Sequence, residues 1–452
     1  MKKFYLILAT LFFTGNCVMQ AQVEGDYDED EDIEITVTNQ QGEEEEIDLP
    51  EAMTYDTDSL LYLYNARTYM HADTTCNLPD VNPVYTKEEY MARLKMLPTV
   101  IEMPYNEAVQ KMIDRYSGRL RRSVSYMLGV QNFYMPIFEQ ALEDYGLPLE
   151  LKYLPVIESA LNPRAVSRVG ATGLWQFMLA TGKRYGLTVN SLVDERRDPV
   201  KSSYAAAHYL SDLYKIFGDW NLVIAAYNAG PANINKAIHR MNGEKDYWKI
   251  YPLLPKETRG YVPAFIAANY IMNFYCDHNI CPMTSDLPVN TDTIMVNRDV
   301  HFGQIAATLG IDIDQVKELN PQYRRNIVNG NNQQMSLRLP ATLVNTFIDN
   351  EDSIYAYNVN EFLAKRDEVD VNDEVPTAQR VRSRTVRKRT TTSRSRSRSR
   401  SRRTTRAKSV SIRQGDTLSE IAARNHTTVS KLRKLNGIKG NNIRAGKKIR
   451  VK

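Results

Sequence analysis

Four short segments carry an acid, amides and phenols in a fixed order along the chain. The acid, Glu158, lies within the apolar run Leu154–Leu161, and the amides and phenols follow it. A carboxylic acid can protonate a departing sugar oxygen only if its pKa is raised, and apolar surroundings raise it by disfavouring the charged form. The pattern therefore predicts cleavage of a glycosidic bond. The candidate residues are Glu158, Ser159, Gln176, Tyr227, Asn228 and Tyr261.

Several of these residues have an alternative explanation, in some cases a purely structural one. Glu158 on its own is compatible with a partly exposed helix glutamate. Ser159 either orients the acid and binds a sugar, or donates back to the preceding helical turn. Trp175 either stacks on a sugar face or fills the core. Gln176 and Asn228 offer amide donors for acetamido groups.

A second carboxylate that activates water would make the enzyme a hydrolase. Asp194, Glu195 and Asp198 are the candidates for it. Because Arg196 and Arg197 lie among them, ion pairing or helix capping is the favoured explanation.

Helical periodicity surrounds the candidate site. Apolar residues recur at helical spacing over 106–116 and 132–145, an apolar helix over 151–161 carries Glu158, and further helices are predicted near 202–217, 220–227, 232–241 and 257–276. No long stretch alternates with period two, so the fold class is predominantly α.

An imperfect repeat follows the helical region. The first repeat begins near Arg298 and ends at Pro340, and the second covers Ser409–Lys452. In the second repeat Thr417 and Glu420 have the spacing of a capping box, and the predicted order is strand, helix, helix, strand.

The second repeat resembles a LysM glycan-binding domain, most specifically in its Gly415–Leu418 turn. The first repeat lacks that turn and looks degenerate. Glycan binding and a purely structural role are both open for it.

The site segments also carry a family resemblance, mainly in Tyr153–Pro163 and Gly170–Met178, with support from 193–199, 226–231 and 257–262. They resemble a lytic murein transglycosylase of the D type, which has a goose-lysozyme-like SLT catalytic domain. Leu179 stands where the family pattern has proline and Ala232 where it has glycine; neither change touches the inferred chemistry.

The resemblance implies that Glu158 is the sole acid and base. It would protonate the oxygen between N-acetylmuramic acid and N-acetylglucosamine and then accept the proton of the muramyl C6 hydroxyl, giving a 1,6-anhydromuramyl end. Neither metal nor other cofactor is implied. The alternatives are a lysozyme-type muramidase and a non-catalytic peptidoglycan-binding protein.

The N-terminus and the cysteines indicate the compartment. Two lysines and an apolar run precede Ala21, as in a secretory signal, so we expect export to the periplasm or cell envelope, with outer-membrane association open. Cys17 leaves lipid anchoring open beside peripheral attachment. Cys276 and Cys281 could pair and leave Cys76 free. A metal site that includes His278 is disfavoured because it lacks a fourth ligand.

Charge is distributed unevenly, with an acidic N-terminal region and a basic Arg/Ser-rich region. The export signal favours a solvated tether over nucleic-acid binding for the basic region. The expected partners, implied by the family resemblance, are peptidoglycan glycan strands, which the LysM domain would bind through N-acetylglucosamine. The predicted divisions are a signal peptide (1–21), an acidic, largely disordered segment (22–85), a lysozyme-like transglycosylase domain (86–290), a degenerate LysM-like domain (296–345), a basic linker (346–408) and a LysM domain (409–452).

Overall fold

The computed structural model describes residues 34–38, 44–54, 70–79, 81–363, 409–411, 421–422, 424–425, 427, 429–436 and 447–451. Helices predominate, which confirms the predicted fold class. None of the described helices is both long and apolar enough to cross a bilayer. The predicted signal peptide, residues 364–408 of the basic linker and the Gly415–Leu418 turn lie outside the described residues.

The helices are α1 Lys87–Met96, α2 Glu107–Ser117, α3 Arg121–Asp144, α4 Leu154–Ser159, α5 Leu179–Arg184, α6 Pro199–Phe217, α7 Trp220–Ala229, α8 Pro231–Arg240, α9 Tyr247–Ile250, α10 Lys256–Phe274, α11 Phe302–Leu309, α12 Ile313–Leu319, α13 Ala341–Asp349, α14 Glu351–Ala356, α15 Val359–Phe362 and α16 Val429–Asn436. The strands are β1 Glu34–Thr38, β2 Glu44–Asp48, β3 Met70–Ala72, β4 Met283–Ser285, β5 Thr291–Val296, β6 Asp299–His301, β7 Ile327–Asn329, β8 Met335–Pro340, β9 Ser409–Ser411 and β10 Lys448–Arg450.

Side-chain caps explain where several helices begin. Asn106 accepts a hydrogen bond from the Val109 amide at the start of α2, and Asp219 does the same for the Leu222 amide at the start of α7. The long helix α3 begins well before the predicted 132–145 segment and contains Pro136. Its buried face over many turns stabilises the added length, since tertiary packing supplies most helical stability.

One hydrophobic core holds the helical domain together. Helix α10 runs through it, and nearly every residue from Tyr261 to Met272 is buried. Phe138 of α3 and Trp175 meet edge to face at a ring-centroid distance of 5.3 Å beside the segment that carries Glu158. The core therefore fixes the backbone on which the site residues stand.

Part of the acidic segment is folded, in contrast to the largely disordered segment predicted over 22–85. Within it, β1 and β2 pair antiparallel, with Ile35 opposite Ile47, and a 3-10 helix follows at Glu51–Thr54. Ile47 and Met53 are fully buried in the core. A Cβ on Gly260 of α10 would lie 2.2 Å from the Asp48 carbonyl oxygen, so the hairpin packs directly on that helix. Alternating apolar residues inside the acidic run supply this packing.

The disulfide also differs from the prediction. Cys76, which was expected to be free, pairs with Cys281, and among the described cysteines Cys276 is the free, exposed one. Strand pairing explains the choice, because β3 and β4 bring the two cysteines together from a sequence separation of 205 residues. His278 is buried and its ring hydrogen-bonds with Asn82 and Tyr270, so it acts as a core residue.

The first repeat is built from β5–β8 and α11–α12, in which β5 pairs with β8 and β6 with β7. Helices α13–α15 extend it into the predicted linker, and Phe347, Ile354 and Tyr355 are buried against its core. The predicted start of the linker at residue 346 is therefore wrong, because residues after it complete the hydrophobic core of the first repeat.

The second repeat has a smaller described core. Strands β9 and β10 pair antiparallel, and Ile421, Leu432 and Ile449 are buried together with Ala422 and Val451. The two strands and α16 agree with the predicted order of strand, helix, helix, strand, while the predicted capping box at Thr417 and Glu420 lies outside the described residues.

Candidate active site

Glu158 stands near the end of the short helix α4. The predicted single helix over 151–161 is divided in the structure into a 3-10 turn at Leu149–Tyr153 and α4 itself. Pro155 lies in the first turn of α4, where its missing N–H costs nothing. Val156 and Ile157 are buried on the core side, and this packing leaves the partly exposed Glu158 facing the other way.

The backbone beside Glu158 is strained. Ala160 and Leu161 have φ values of 50° and 59°, and Gln176 has a φ of 47°. The other non-glycine residues with positive φ in the described part of the chain are asparagines, which tolerate that conformation better. Left-handed backbone at residues with ordinary side chains is typical of functional sites, where the surroundings hold it in place.

A close backbone approach fixes the loop that carries Gln176. Gly173 has a φ of 90°, and a Cβ there would lie 1.8 Å from the carbonyl oxygen of Arg196. Only glycine allows the loop to pack against the 3-10 turn at Glu195–Arg197.

Five of the six candidate residues line one cavity of about 170 Å³. They come from α4, the loop before α5, the end of α7 and the start of α10, so the fold brings together residues that are far apart in sequence. These residues are Glu158, Gln176, Tyr227, Asn228 and Tyr261.

The contact between Glu158 and Tyr261 is the most direct one in the cavity. The Tyr261 hydroxyl donates a short hydrogen bond to Oε1 of Glu158. Burial raises the pKa of Glu158 to about 8, an effect that the Tyr261 hydrogen bond opposes and the nearby Glu257 and Glu51 charges reinforce. Burial and the Glu158 charge also keep the pKa of Tyr261 well above its usual value, so the phenol remains a donor. A neutral acid with a fixed donor is what proton transfer to a leaving oxygen requires.

Both amide side chains are held in place by the protein. Asn228 Nδ2 donates to Glu257 Oε1 at 3.1 Å, and Asn228 Oδ1 accepts from the Thr258 hydroxyl at 3.0 Å. Gln176 Nε2 donates to the Gly173 carbonyl at 2.7 Å. Some of the donors that the sequence suggested for a substrate are therefore used internally. Asn228 Nδ2 carries a second N–H group. Gln176 Nε2 also donates to the Ala165 carbonyl at 3.4 Å, so the capacity of Gln176 for a ligand lies in its Oε1 acceptor.

Trp175 and Ser159 lie behind the cavity that Tyr227 lines. The Tyr227 hydroxyl donates to the Trp175 carbonyl at 2.8 Å. The Trp175 ring is fully buried and its N–H bonds to Ser203, so it fills the core. Ser159 is also fully buried, and its hydroxyl bonds with the carbonyls of Pro155 and Leu174 at 3.0 and 2.9 Å. Its predicted contact with substrate does not agree with this position, because a hydroxyl bound to two backbone carbonyls does not reach the cavity.

The carboxylates considered as a second base do not line this cavity. Asp194 is buried, and Arg196 and Arg324 together hold its pKa below the usual range against the effect of burial. Glu195 pairs with Lys201, and Asp198 caps α6. Ion pairing and capping explain all three.

Two other carboxylates do line the cavity, and sequence reasoning missed both. Glu51, from the N-terminal 3-10 helix, accepts a hydrogen bond from the Arg168 amide at 3.1 Å, and Glu257 holds Asn228. Glu257 lies four residues before Tyr261, one helical turn away, which was an available signal. No local pattern points to Glu51, since its position depends on packing of the hairpin.

Comparison with known proteins shows what these features are similar to. Residues 135–250 match the model of the transglycosylase SLT domain, 290–356 that of the LysM-like domain of lytic transglycosylase MltD, and 410–452 that of the LysM domain. The chain is 26% identical over 356 residues to membrane-bound lytic murein transglycosylase D of Escherichia coli K12, covering 77% of this chain and 70% of that protein. It is 34% identical over 164 residues to membrane-bound lytic murein transglycosylase F of Maricaulis maris, covering 32% of each.

Among solved structures, the 70 kDa soluble lytic transglycosylase of Escherichia coli aligns at 27% identity with a TM-score of 0.30, covering 38% of this chain and 30% of that one.

The SLT match and the transglycosylase relatives confirm the predicted class: the chain is a peptidoglycan lytic transglycosylase. The match at 290–356 and the relative that spans most of the chain confirm the narrower prediction as well. The chain is similar to the D type over most of its length, with matches to a LysM-like domain and a LysM domain after the SLT match.

Proposed function

We propose that Glu158 is the single acid and base with which this chain cleaves the bond between N-acetylmuramic acid and N-acetylglucosamine. The observation that carries the assignment is a carboxyl group with a pKa of about 8 that lines a cavity and accepts a hydrogen bond from Tyr261. At neutral pH most of this group is protonated, as a general acid must be.

The proposed reaction uses the two oxygens of Glu158 differently. Tyr261 binds Oε1, which leaves Oε2 to carry the transferable proton. That proton passes to the glycosidic oxygen as its bond to the muramyl anomeric carbon breaks. The carboxylate then accepts the proton of the muramyl C6 hydroxyl, whose oxygen forms the new bond to the anomeric carbon. No water is consumed, and the product ends in a 1,6-anhydro ring.

The remaining cavity residues would position the sugars. Gln176 and Asn228, both oriented by internal hydrogen bonds, are proposed to contact the acetamido groups. Tyr227 contributes to the wall next to Glu158. The acetamido group of the substrate itself is the natural stabiliser of the oxocarbenium-like transition state, since no second carboxylate is assigned to that role.

Export and wall binding complete the proposal. We infer that the signal-like segment sends the chain to the cell envelope and that residues 409–452 bind N-acetylglucosamine-containing glycan. This binding raises the local concentration of substrate at the catalytic domain. The first repeat has a structural role among others, which its contacts with the catalytic domain support. Attachment to a membrane, peripheral or through a lipid on Cys17, is a separate proposal that mass analysis of the exported chain would test.

The test is mass analysis of the products from purified sacculi treated with wild type, Glu158→Gln and Glu139→Gln. Glu139 is a partly exposed glutamate of α3 that pairs with Lys152 outside the cavity, and it serves as the matched control. We expect anhydro products from wild type and the control, and a loss of at least about a hundredfold in rate for Glu158→Gln. Release of muropeptides at the normal rate by Glu158→Gln would overturn the assignment.

The same spectra separate the transglycosylase from a muramidase. A reducing end is heavier than an anhydro end by one water. Reducing-end products would mean that Glu51 or Glu257, the other carboxylates in the cavity, activates water.

A further inference from the structure

A second and larger cavity lies where the catalytic domain meets the first repeat. Its volume is about 440 Å³, and it opens to the surface. The catalytic domain contributes aromatic side chains, and the turn between β7 and β8 of the first repeat contributes two exposed glutamines. Its lining includes Tyr145, Tyr185, Tyr204, His208, Gln333 and Gln334.

The rings of this cavity are held in position. Tyr145 stacks on His208 with ring centroids 5.6 Å apart, and Tyr185 meets His208 edge to face at 5.2 Å. The hydroxyl groups of Tyr204 and Tyr185 bond to Asp144 and Asp212. Ring faces next to amide groups suit a sugar, because a sugar presents apolar C–H faces and hydroxyl or acetamido edges.

The charged groups in the cavity are paired with each other. Lys201 Nζ lies 2.5 Å from Glu195 Oε1, so the two charges compensate each other locally. Such a lining favours a neutral ligand over a carboxylate-rich peptide.

A chain of ring contacts connects the second cavity to the first. Tyr185 lines the second cavity and packs on Tyr209 at 5.1 Å, and Tyr209 packs on Tyr227 at 5.3 Å. Tyr227 lines the cavity of Glu158. The two cavities are therefore close enough for one polymeric ligand to occupy both.

We propose that the cavity between the catalytic domain and the first repeat is a second saccharide-binding site, which holds a neutral N-acetylated stretch of the glycan strand cleaved at Glu158. This proposal rests on the proposed function. It gives the docked first repeat a role in substrate binding, because that repeat supplies one wall of the site.

The experiment measures binding of peptide-free glycan strands to the full chain carrying Glu158→Gln, which prevents turnover. Calorimetry compares this background with the added double variant Tyr145→Ala/Gln334→Ala. The second repeat is present in every sample, so its contribution to binding cancels. Tyr214→Ala is the matched control, since its ring is 39% exposed and lies outside both cavities.

We expect the double variant to bind long strands about tenfold more weakly and the control to bind them normally. The double variant Tyr145→Phe/Gln334→Ala keeps the ring and should recover most of the affinity that Tyr145→Ala/Gln334→Ala loses. In the chain with Glu158 intact, the double variant should raise KM for long strands and leave kcat unchanged.

Equal affinity of the double variant and its background for long strands would overturn the second site. Displacement of the strand by free stem peptide would also overturn it, because this result would show that the cavity binds peptide. Both outcomes are independent of the proposed function, which stands or falls with cleavage by Glu158→Gln. Thermal unfolding of the double variant, measured alongside, must match that of the control.

Discussion

The two repeats share one hydrogen-bonded frame and differ in what surrounds it. In the first repeat the Asn320 side chain bonds to the Val316 carbonyl and to both the carbonyl and the amide of Arg338. In the second repeat Asn436 makes the same three contacts, with Leu432 and with Arg450. The asparagine that ends the second helix thus ties it to the last strand in both copies.

Around this frame the first repeat is joined to the catalytic domain. Tyr323 forms a β-bridge with Val193, and the Arg324 amide bonds to the Leu192 carbonyl at 2.8 Å. Leu192 and Val193 belong to the hydrophobic core of the first repeat. Arg324 also pairs with the buried Asp194 at 2.7 Å. The comparison teaches that contacts added around one frame can make it a fixed part of an enzyme.

The largest effect is expected from removing the buried charge of Asp194, where the first repeat contacts the catalytic domain. Asp194→Ala leaves Arg196 without its buried partner and Arg324 without its link to the catalytic domain. We expect a loss of about 3 kcal/mol in the free energy of unfolding, measured by denaturant titration of the full chain. Lys215→Ala, which breaks an exposed pair with Asp212, should change it by less than about 0.5 kcal/mol. Similar losses of unfolding free energy for the two variants would mean that the contact between the first repeat and the catalytic domain adds nothing to stability.

Equivalent substitutions of the two asparagines sharpen the comparison. Asn320→Ala and Asn436→Ala each remove three hydrogen bonds and leave backbone groups of the last strand without partners, at a cost of about 2 kcal/mol. Asn320→Ala should lower the unfolding temperature of the catalytic unit, because the first repeat is joined to it. Asn436→Ala should weaken binding to sacculi while cleavage of soluble glycan continues. Loss of soluble-glycan cleavage in Asn436→Ala would contradict the separation of the two roles.

A smaller expected effect is a pH dependence that changes the rate of cleavage but not the binding to the wall. The acid must be protonated, so cleavage should fall as pH rises through about 8, the pKa of Glu158, while binding of glycan by the second repeat should not follow this change. The Glu51 charge helps to raise the pKa of Glu158, so Glu51→Gln should move the alkaline limb of the pH–rate profile to lower pH. Glu44→Gln, on β2 and outside the cavity, is the control and should leave the limb in place. An unshifted limb in Glu51→Gln would show that its charge does not reach Glu158.

The sequence predicted the parts of the site that local pattern encodes. The apolar run around Glu158 predicted a raised pKa, and the spacing of the later segments predicted residues that do line one cavity with it. Helical periodicity placed most of the helices, since amphipathic faces depend only on near neighbours in the chain.

What the sequence did not predict depends on contacts between distant residues. Charges in the acidic segment obscured the alternation that buries Ile47, so the hairpin and the cavity residue Glu51 were missed. The pairing of Cys76 with Cys281 follows from strands β3 and β4, which meet only in the folded chain. The length of α3 likewise reflects packing over the whole core.

The left-handed residues after Glu158 place a limit on engineering for heat resistance. Glycine in place of Ala160, whose φ is 50°, would relieve conformational strain in the folded chain. The same change would loosen the turn that directs the acid into its cavity. A laboratory selection for thermostability alone would therefore be expected to erode turnover at this position first, since stability and activity are in conflict there.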